Sequence, residues 1–265
     1  MEDNSVVAYF DGVADSYDQV LPFFGRFAEE AMPYLDSPPG AKALDLAAGR
    51  GALTERLLAR GCEVTAVDGA RRMIELLRED HPTAACSVMD ATCLDFPADT
   101  FDLVVCGFAL HIIPDPATVL AEASRVVKPG GLLAFTVPGR ADGAPDPWRD
   151  PLVDLYAEYR RFQADGFGRH GNDVEESELF EQSELVDASA TTLEVALPVA
   201  DGETYWRWSR SHGSGRFING LPAEKRAEMH ARLLNEINEI PNFTLRRSAT
   251  LWTSRKPDDG RQWPV

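Results

Sequence analysis

The sequence predicts an α/β protein: a mostly parallel sheet with one antiparallel edge strand, carrying helical lid insertions. Three observations lead there. Short apolar, β-branched runs alternate with amphipathic helical stretches from residue 42 to residue 137. The runs are nearly continuous in apolar residues, as strands covered by helices on both faces must be. Gly49 and Gly51 sit where the first run turns into the first helix, at the edge where open α/β sheets receive ligands.

The elements follow in order. Residues 1–40 read as a helical leader, with Ala14, Tyr17, Val20 and Leu21 on one face and Pro38-Pro39-Gly40 as its stop. Residues 42–47 form the first strand, and Leu53, Leu57 and Leu58 mark a helix that ends at Gly61. Residues 63–68 form the second strand. Ala70, Met73, Ile74 and Leu77 then fall at i, i+3, i+4 and i+7, the spacing of an amphipathic helix. Residues 86–89, 101–107 and 132–137 are strands three to five. A helix with Leu120, Ala123, Ser124 and Val127 precedes the last, and Pro129-Gly130-Gly131 breaks it.

Residues 139–150 read as a loop, and residues 151–165 and 174–187 as helices. Two late strands, 191–199 and 243–255, flank a long helix from Pro222 to Ile240 and can pair antiparallel at one sheet edge. The expected division is a lid (1–40), a ligand-binding core (41–138), its continuation with a helical insertion (139–200), a second lid insertion (201–242) and a final strand with its tail (243–265).

Composition narrows the function. The chain has 265 residues, 44% hydrophobic and 26% charged, which suits one large globular domain with insertions. No run reaches the ~18 apolar residues of a membrane span. The opening Met1-Glu2-Asp3-Asn4-Ser5 lacks the basic and apolar regions of a signal peptide, so a cytoplasmic chain is expected. A net charge of -17 repels phosphate backbones. Nucleic acid and anionic membrane are therefore not expected as partners. Cys62, Cys86, Cys93 and Cys106 form no CxxC pair, so no metal site is expected and the thiols read as reduced and mostly buried.

The sharpest motif is the stretch Leu44-Asp45-Leu46-Ala47-Ala48-Gly49-Arg50-Gly51-Ala52. Glycines at such a turn let a ligand approach backbone N–H groups closely. The next strand ends in Asp68, where an acid meets ribose hydroxyls in dinucleotide folds. A nicotinamide-binding G-x-G-x-x-G fingerprint would fall on Ala47, Gly49 and Ala52, a poor match.

A second reading fits more of the chain. The segment from Asp45 to Gly51 resembles the first motif of class I S-adenosylmethionine (SAM)-dependent methyltransferases, departing from D-x-G-x-G-x-G only by Ala47. The resemblance continues in order through Val64–Asp68, Met89-Asp90-Ala91, Phe101–His111 and Leu120–Gly131. The N-terminal Phe10–Asp18 is similar to the lid of the small-molecule branch.

The resemblance implies a Rossmann-like class I methyltransferase sheet, SAM as cofactor, S-adenosylhomocysteine as its product, and a role for each residue. Asp45 and the carbonyls of Ala47 and Gly107 face the cationic ammonium and sulfonium, beside Gly49. Asp68 takes the ribose, next to Gly69. Asp90 and Ala91 meet the adenine edge, Met73 its face, and Tyr17 closes over the cofactor. Tyr9, Phe10, His170, Tyr205, Trp208 and His212 are the expected substrate contacts, and His111 the expected general base. Plainer readings stay open: Asp68 as a helix cap, Asp90 as a turn residue, and His111 as a packing residue.

The implied reaction is in-line methyl transfer to oxygen, nitrogen or carbon of a small acceptor. An arginine-rich, lysine-poor composition adds a bacterial natural-product setting. A non-methylating reaction on the same fold, such as cyclisation or decarboxylation, is the alternative, with a nicotinamide oxidoreductase behind it.

Overall fold

The computed structural model describes residues 4–148, 150–163 and 176–258. Two helices, α1 (Asn4–Val13) and α2 (Phe23–Ala31), lead into an alternating core. The core runs β1 (Lys42–Leu46), α3 (Ala52–Ala59), β2 (Glu63–Asp68), α4 (Arg71–Asp80), β3 (Ala85–Val88), β4 (Phe101–Gly107), α5 (Pro116–Val126) and β5 (Val127–Pro138). The rest runs α6 (Pro151–Tyr159), α7 (Glu176–Gln182), β6 (Val186–Pro198), α8 (Gly202–Arg210), α9 (Ser214–Asn219), α10 (Ala223–Asn238) and β7 (Thr244–Arg255).

The strands form one seven-stranded sheet in the order β3-β2-β1-β4-β5-β7-β6. β1 to β5 are parallel, and β7 runs antiparallel to both β5 and β6. Strand order reverses between β1 and β4, which opens a crevice at their C-terminal ends. Both faces are covered. Ala43, Val105, Leu193 and Leu251 pack with α2, α3, α8 and α10 on one side. Leu44, Leu46, Val104, Cys106 and Phe135 pack with α5 and α7 on the other. This two-sided burial is why the strands read as continuous apolar runs.

Local chemistry sets the helix starts. Asp115, Asp150 and Asp201 cap α5, α6 and α8 by accepting from Thr118, Leu152 and Thr204 N–H at 3.0, 2.7 and 2.7 Å. The end of α5 passes directly into β5, whose Gly131 has no room for a side chain: a Cβ there would lie 2.7 Å from Val127 Cγ2 and 2.9 Å from Lys128 O.

The leader departs from its expected form. Residues 14–20 make turns instead of extending α1. Asp18 adopts a left-handed φ of 56°, and its carboxylate accepts from Phe24 and Gly25 N–H at 2.9 and 3.0 Å. Those are orphan donors of α2's first turn, so satisfying them offsets the backbone cost. β6 also begins within the stretch expected to be helical, and Cys93 is exposed while only Cys62 and Cys106 are buried.

Candidate active site

β1 brings the chain to the crevice, where it turns through positive φ at Ala47 (55°), Gly49 (55°) and Gly51 (87°). Such angles cost alanine about 1–2 kcal/mol and glycine little. Backbone bonds hold the turn: Ala48 N–H donates to Val67 O at 3.0 Å and Gly51 N–H to Ala48 O at 2.8 Å. α3 then starts with its first N–H groups at the cavity, a natural seat for a carboxylate.

Three carboxylates stand at or beside this turn's cavity, and two of them brace the turn itself. Asp45 is buried, and its Oδ2 accepts from Thr54 N–H at 2.9 Å and Thr54 Oγ1–H at 2.7 Å, tying β1 to α3. Asp68 Oδ2 accepts from Gly49 N–H and Oδ1 from Ala70 N–H, both at 2.8 Å. It therefore closes the turn that leads into α4 and also holds the glycine turn, with one lone-pair direction left on each oxygen. Asp18 is the third. Burial pushes Asp45 up to about 7 and Asp18 up to about 6, and it raises Asp68 as well.

A cavity of about 360 Å³ lies among them. The glycine turn, Gly107, Thr136 and Asp45 line one side, and Tyr17, Asp18 and α2 the other. Its apolar end is aromatic. Phe108, at φ 55° beyond β4, packs 5.3 Å from Phe24 and 5.0 Å from Phe27, and Tyr17 stacks on Phe24 at 4.9 Å. Gly107 keeps the floor open, since a Cβ would reach 3.2 Å from Leu53 Cδ1.

The expected site residues divide. Tyr17, Asp45, Ala47, Gly49 and Gly107 lie on the cavity wall. Gly69, Met73 and Asp68 lie beside it beneath the lid: Val7 covers Gly69, and Phe10 and Tyr17 pack on Ala70 and Met73. α1 is pinned there by Asp11, which accepts from Arg72 N–H at 2.6 Å, and by the Asp15–Arg72 pair at 2.8 Å. Asp90 stands exposed in a turn, accepting from Thr92 N–H and Oγ1–H at 2.8 Å, with Ala91 next to it. His111 lies in the turn after β4, half-buried and off the cavity wall.

None of the described substrate candidates lines the cavity. Tyr205 is a core residue, fully buried and donating to Asp150. Trp208 is buried between Tyr205 and Phe23. Tyr9 donates to His212 O at 2.7 Å, pinning α1 to the second insertion. His212 packs on Phe23 and Phe24 behind the aromatic end. His170 lies outside the described residues. Asp18, Phe24, Phe27, Phe108 and Thr136 carry the wall without having been singled out. Asp18 and Phe108 had a signal, as members of the lid motif and of the fourth-strand motif.

The donor set suits a cationic, hydroxyl-bearing ligand: desolvated carboxylates gain most when a positive charge arrives. These acids have folded-state values above their unfolded ones, so their contribution to stability is full below the unfolded value, about pH 4, and is lost as pH rises through 6–7. A bound cation favours the charged forms. Calorimetry from about pH 5.5 to about pH 8 is therefore expected to show SAM binding tightening with pH, and the neutral-sulfur product gaining less. A flat profile for SAM would remove these acids from the cation's surroundings. Among the described residues, no group of three His, Cys, Asp or Glu could hold a metal ion, and no helix is long and apolar enough to cross a membrane.

Comparison with known proteins agrees with this geometry. Residues 44–135 match the family described as "Methyltransferase domain". A demethylmenaquinone methyltransferase of Streptomyces avermitilis is 35% identical over 161 residues, covering 59% of this chain and 67% of that protein. The YcgJ protein of Bacillus subtilis superposes with a TM-score of 0.57 at 17% identity, over 87% of this chain and 97% of that one. A phosphoethanolamine N-methyltransferase 2 of Haemonchus contortus, in complex with SAM, gives 0.54 at 15% identity, over 88% of this chain and 52% of that one. The nicotinamide reading falls away, and the chain belongs to the class I SAM-dependent methyltransferases.

Proposed function

We propose that this methyltransferase acts on a small apolar or aromatic metabolite of the natural-product kind, at oxygen, nitrogen or carbon. The observation that carries this is the aromatic end of the cavity, where Phe24, Phe27 and Phe108 stand beside the glycine turn. Such walls favour a flat apolar acceptor and keep water out. SAM supplies a methyl group on a cationic sulfur. The turn, α3's first N–H groups and Asp18, Asp45 and Asp68 hold and orient the cofactor, and Asp90, Ala91 and Met73 take its adenine once the lid has admitted it.

An acceptor that starts as a hydroxyl needs a partner for its proton. His212 is the histidine packed on the aromatic wall, 6.1 Å from Phe24 and 6.2 Å from Phe23 between ring centroids. A carbonyl can only accept, so the 2.7 Å contact with Trp208 O puts the proton on Nδ1 and leaves Nε2 as an acceptor. Burial pushes the ring down to about 4, which keeps it neutral. Such a ring orients a hydroxyl better than it removes the proton. We therefore propose that His212, which stands behind the cavity's aromatic wall and not on it, reaches and orients the acceptor's hydroxyl when that wall shifts, in place of the general base expected at His111, with the proton passing to water.

The test is turnover on a panel of phenols, quinols and amines, demethylmenaquinone among them, read as the mass gain of one methyl group. His212→Phe is expected to lower kcat by about 10²-fold, leave SAM affinity nearly unchanged and cost more than His111→Ala. The reverse ranking would return the role to His111. No methylated product from any apolar or aromatic member would sink the acceptor class.

A further inference from the structure

Another depression lies on the outer side of the lid. It is a groove of about 840 Å³ between residues 12–20 and the insertion built from α8, α9 and α10. Gly12, Val13, Ser16 and Val20 form one wall. Trp206, Arg207, Arg210, Arg226 and His230 form the other.

Its charge is unlike that of the chain, which carries -17 overall. Arg207 and Arg210 are exposed and Arg226 is half-buried, and none of the three has an ion-pair partner among the described residues. Several other arginines are paired, among them Arg72 with Asp15, Arg140 with Glu194 and Arg232 with Glu158. Among the described residues the groove has one carboxylate, Glu203, and it is engaged by His230 Nε2 at 2.9 Å. Three guanidinium groups line one groove without an ion pair among the described residues, and an anion seated among them gains charge-assisted, bidentate hydrogen bonds. The groove also has a flat element, the half-buried His230 ring backed by the buried Trp206. The Trp206 indole stacks on the His230 ring, with centroids 4.6 Å apart and planes 23° from parallel.

We propose that this groove binds a small organic anion, a flat apolar body carrying a carboxylate or phosphate, with the anionic group held by Arg207, Arg210 and Arg226. The site is separate from the cofactor cavity but shares a wall with it. Residues 12–20 line the groove with one side, and Tyr17, Asp18 and Gln19 of the same segment line the cavity with the other. An occupant bridging the segment to α8 and α10 holds the lid down. Groove ligand and cofactor then tighten each other's binding by the same factor.

The probes are phenyl phosphate, benzoate and inorganic phosphate, titrated into the full chain by calorimetry at low and moderate salt. Phenyl phosphate or benzoate is expected to bind more tightly than inorganic phosphate and to weaken with salt. Which of the two binds better distinguishes a phosphate ligand from a carboxylate one. The exposed pair Arg207→Gln/Arg210→Gln, with circular dichroism to show an intact fold, is expected to weaken the aromatic anion by at least about tenfold and abolish its effect on SAM affinity. Arg226→Gln is expected to do the same. Absence of binding at millimolar probe, or binding unchanged in both variants, overturns the proposal.

Discussion

Asp68→Asn is expected to weaken SAM and S-adenosylhomocysteine alike, by about 10–200-fold. The two ligands share the ribose, so a residue that accepts from its hydroxyls must affect both. The structure adds a second reason. Asp68 presents one oxygen to Gly49 N–H and the other to Ala70 N–H. Asparagine keeps only one oxygen. Whichever way it turns, its NH₂ group meets a backbone donor, and either the glycine turn or the start of α4 loses its anchor. The apo protein is expected to stay folded, because the substitution also removes a carboxylate that burial disfavours in its charged form. Calorimetry of both ligands against the variant is the measurement. Unchanged affinity for both would exclude Asp68 from the ribose.

Asp150→Ala is expected to lower the unfolding free energy by about 3–5 kcal/mol, the range for stripping a buried charge of its partner. Asp150 is 8% exposed, accepts from the fully buried Tyr205 hydroxyl at 2.7 and 2.6 Å and pairs with Arg247. It also caps α6. One carboxylate thus joins α6, α8 and β7. Without it, a largely buried guanidinium and a phenol lose their acceptor together. Urea denaturation of the variant, compared with Asp150→Asn, separates charge from hydrogen bonding. A loss below about 1 kcal/mol in Asp150→Ala would mean that Arg247 reaches solvent instead.

These two residues differ in how visible they were. Asp68 follows a β-branched run and precedes a helix at the interval where a ribose acid belongs, so spacing marked it. Asp150 closes a Pro- and Gly-rich loop, and its partners lie 55 and 97 positions further along. Tyr205 was expected to touch substrate because an aromatic in an insertion has the same sequence signature whether it lines a pocket or fills a core. Its hydroxyl has a buried partner, and that settles which. Asp18 and Phe108 were missed for a related reason. Both take left-handed backbone angles in turns, and periodicity carries no information there.

By itself the sequence determined the alternation of strands and helices, the parallel core and the glycine turn at the end of β1. Each is encoded within about 20 neighbouring residues, by apolar period and turn chemistry. Only the tertiary structure decided that β7 lies between β5 and β6, that the lid turns at Asp18 to cap α2, that His212 and not His111 stands behind the aromatic wall, and that three arginines line one groove outside the lid. Those arrangements join residues far apart in the chain. They are set by which buried polar group finds which partner when the helices close on the sheet, and local pattern does not carry that choice.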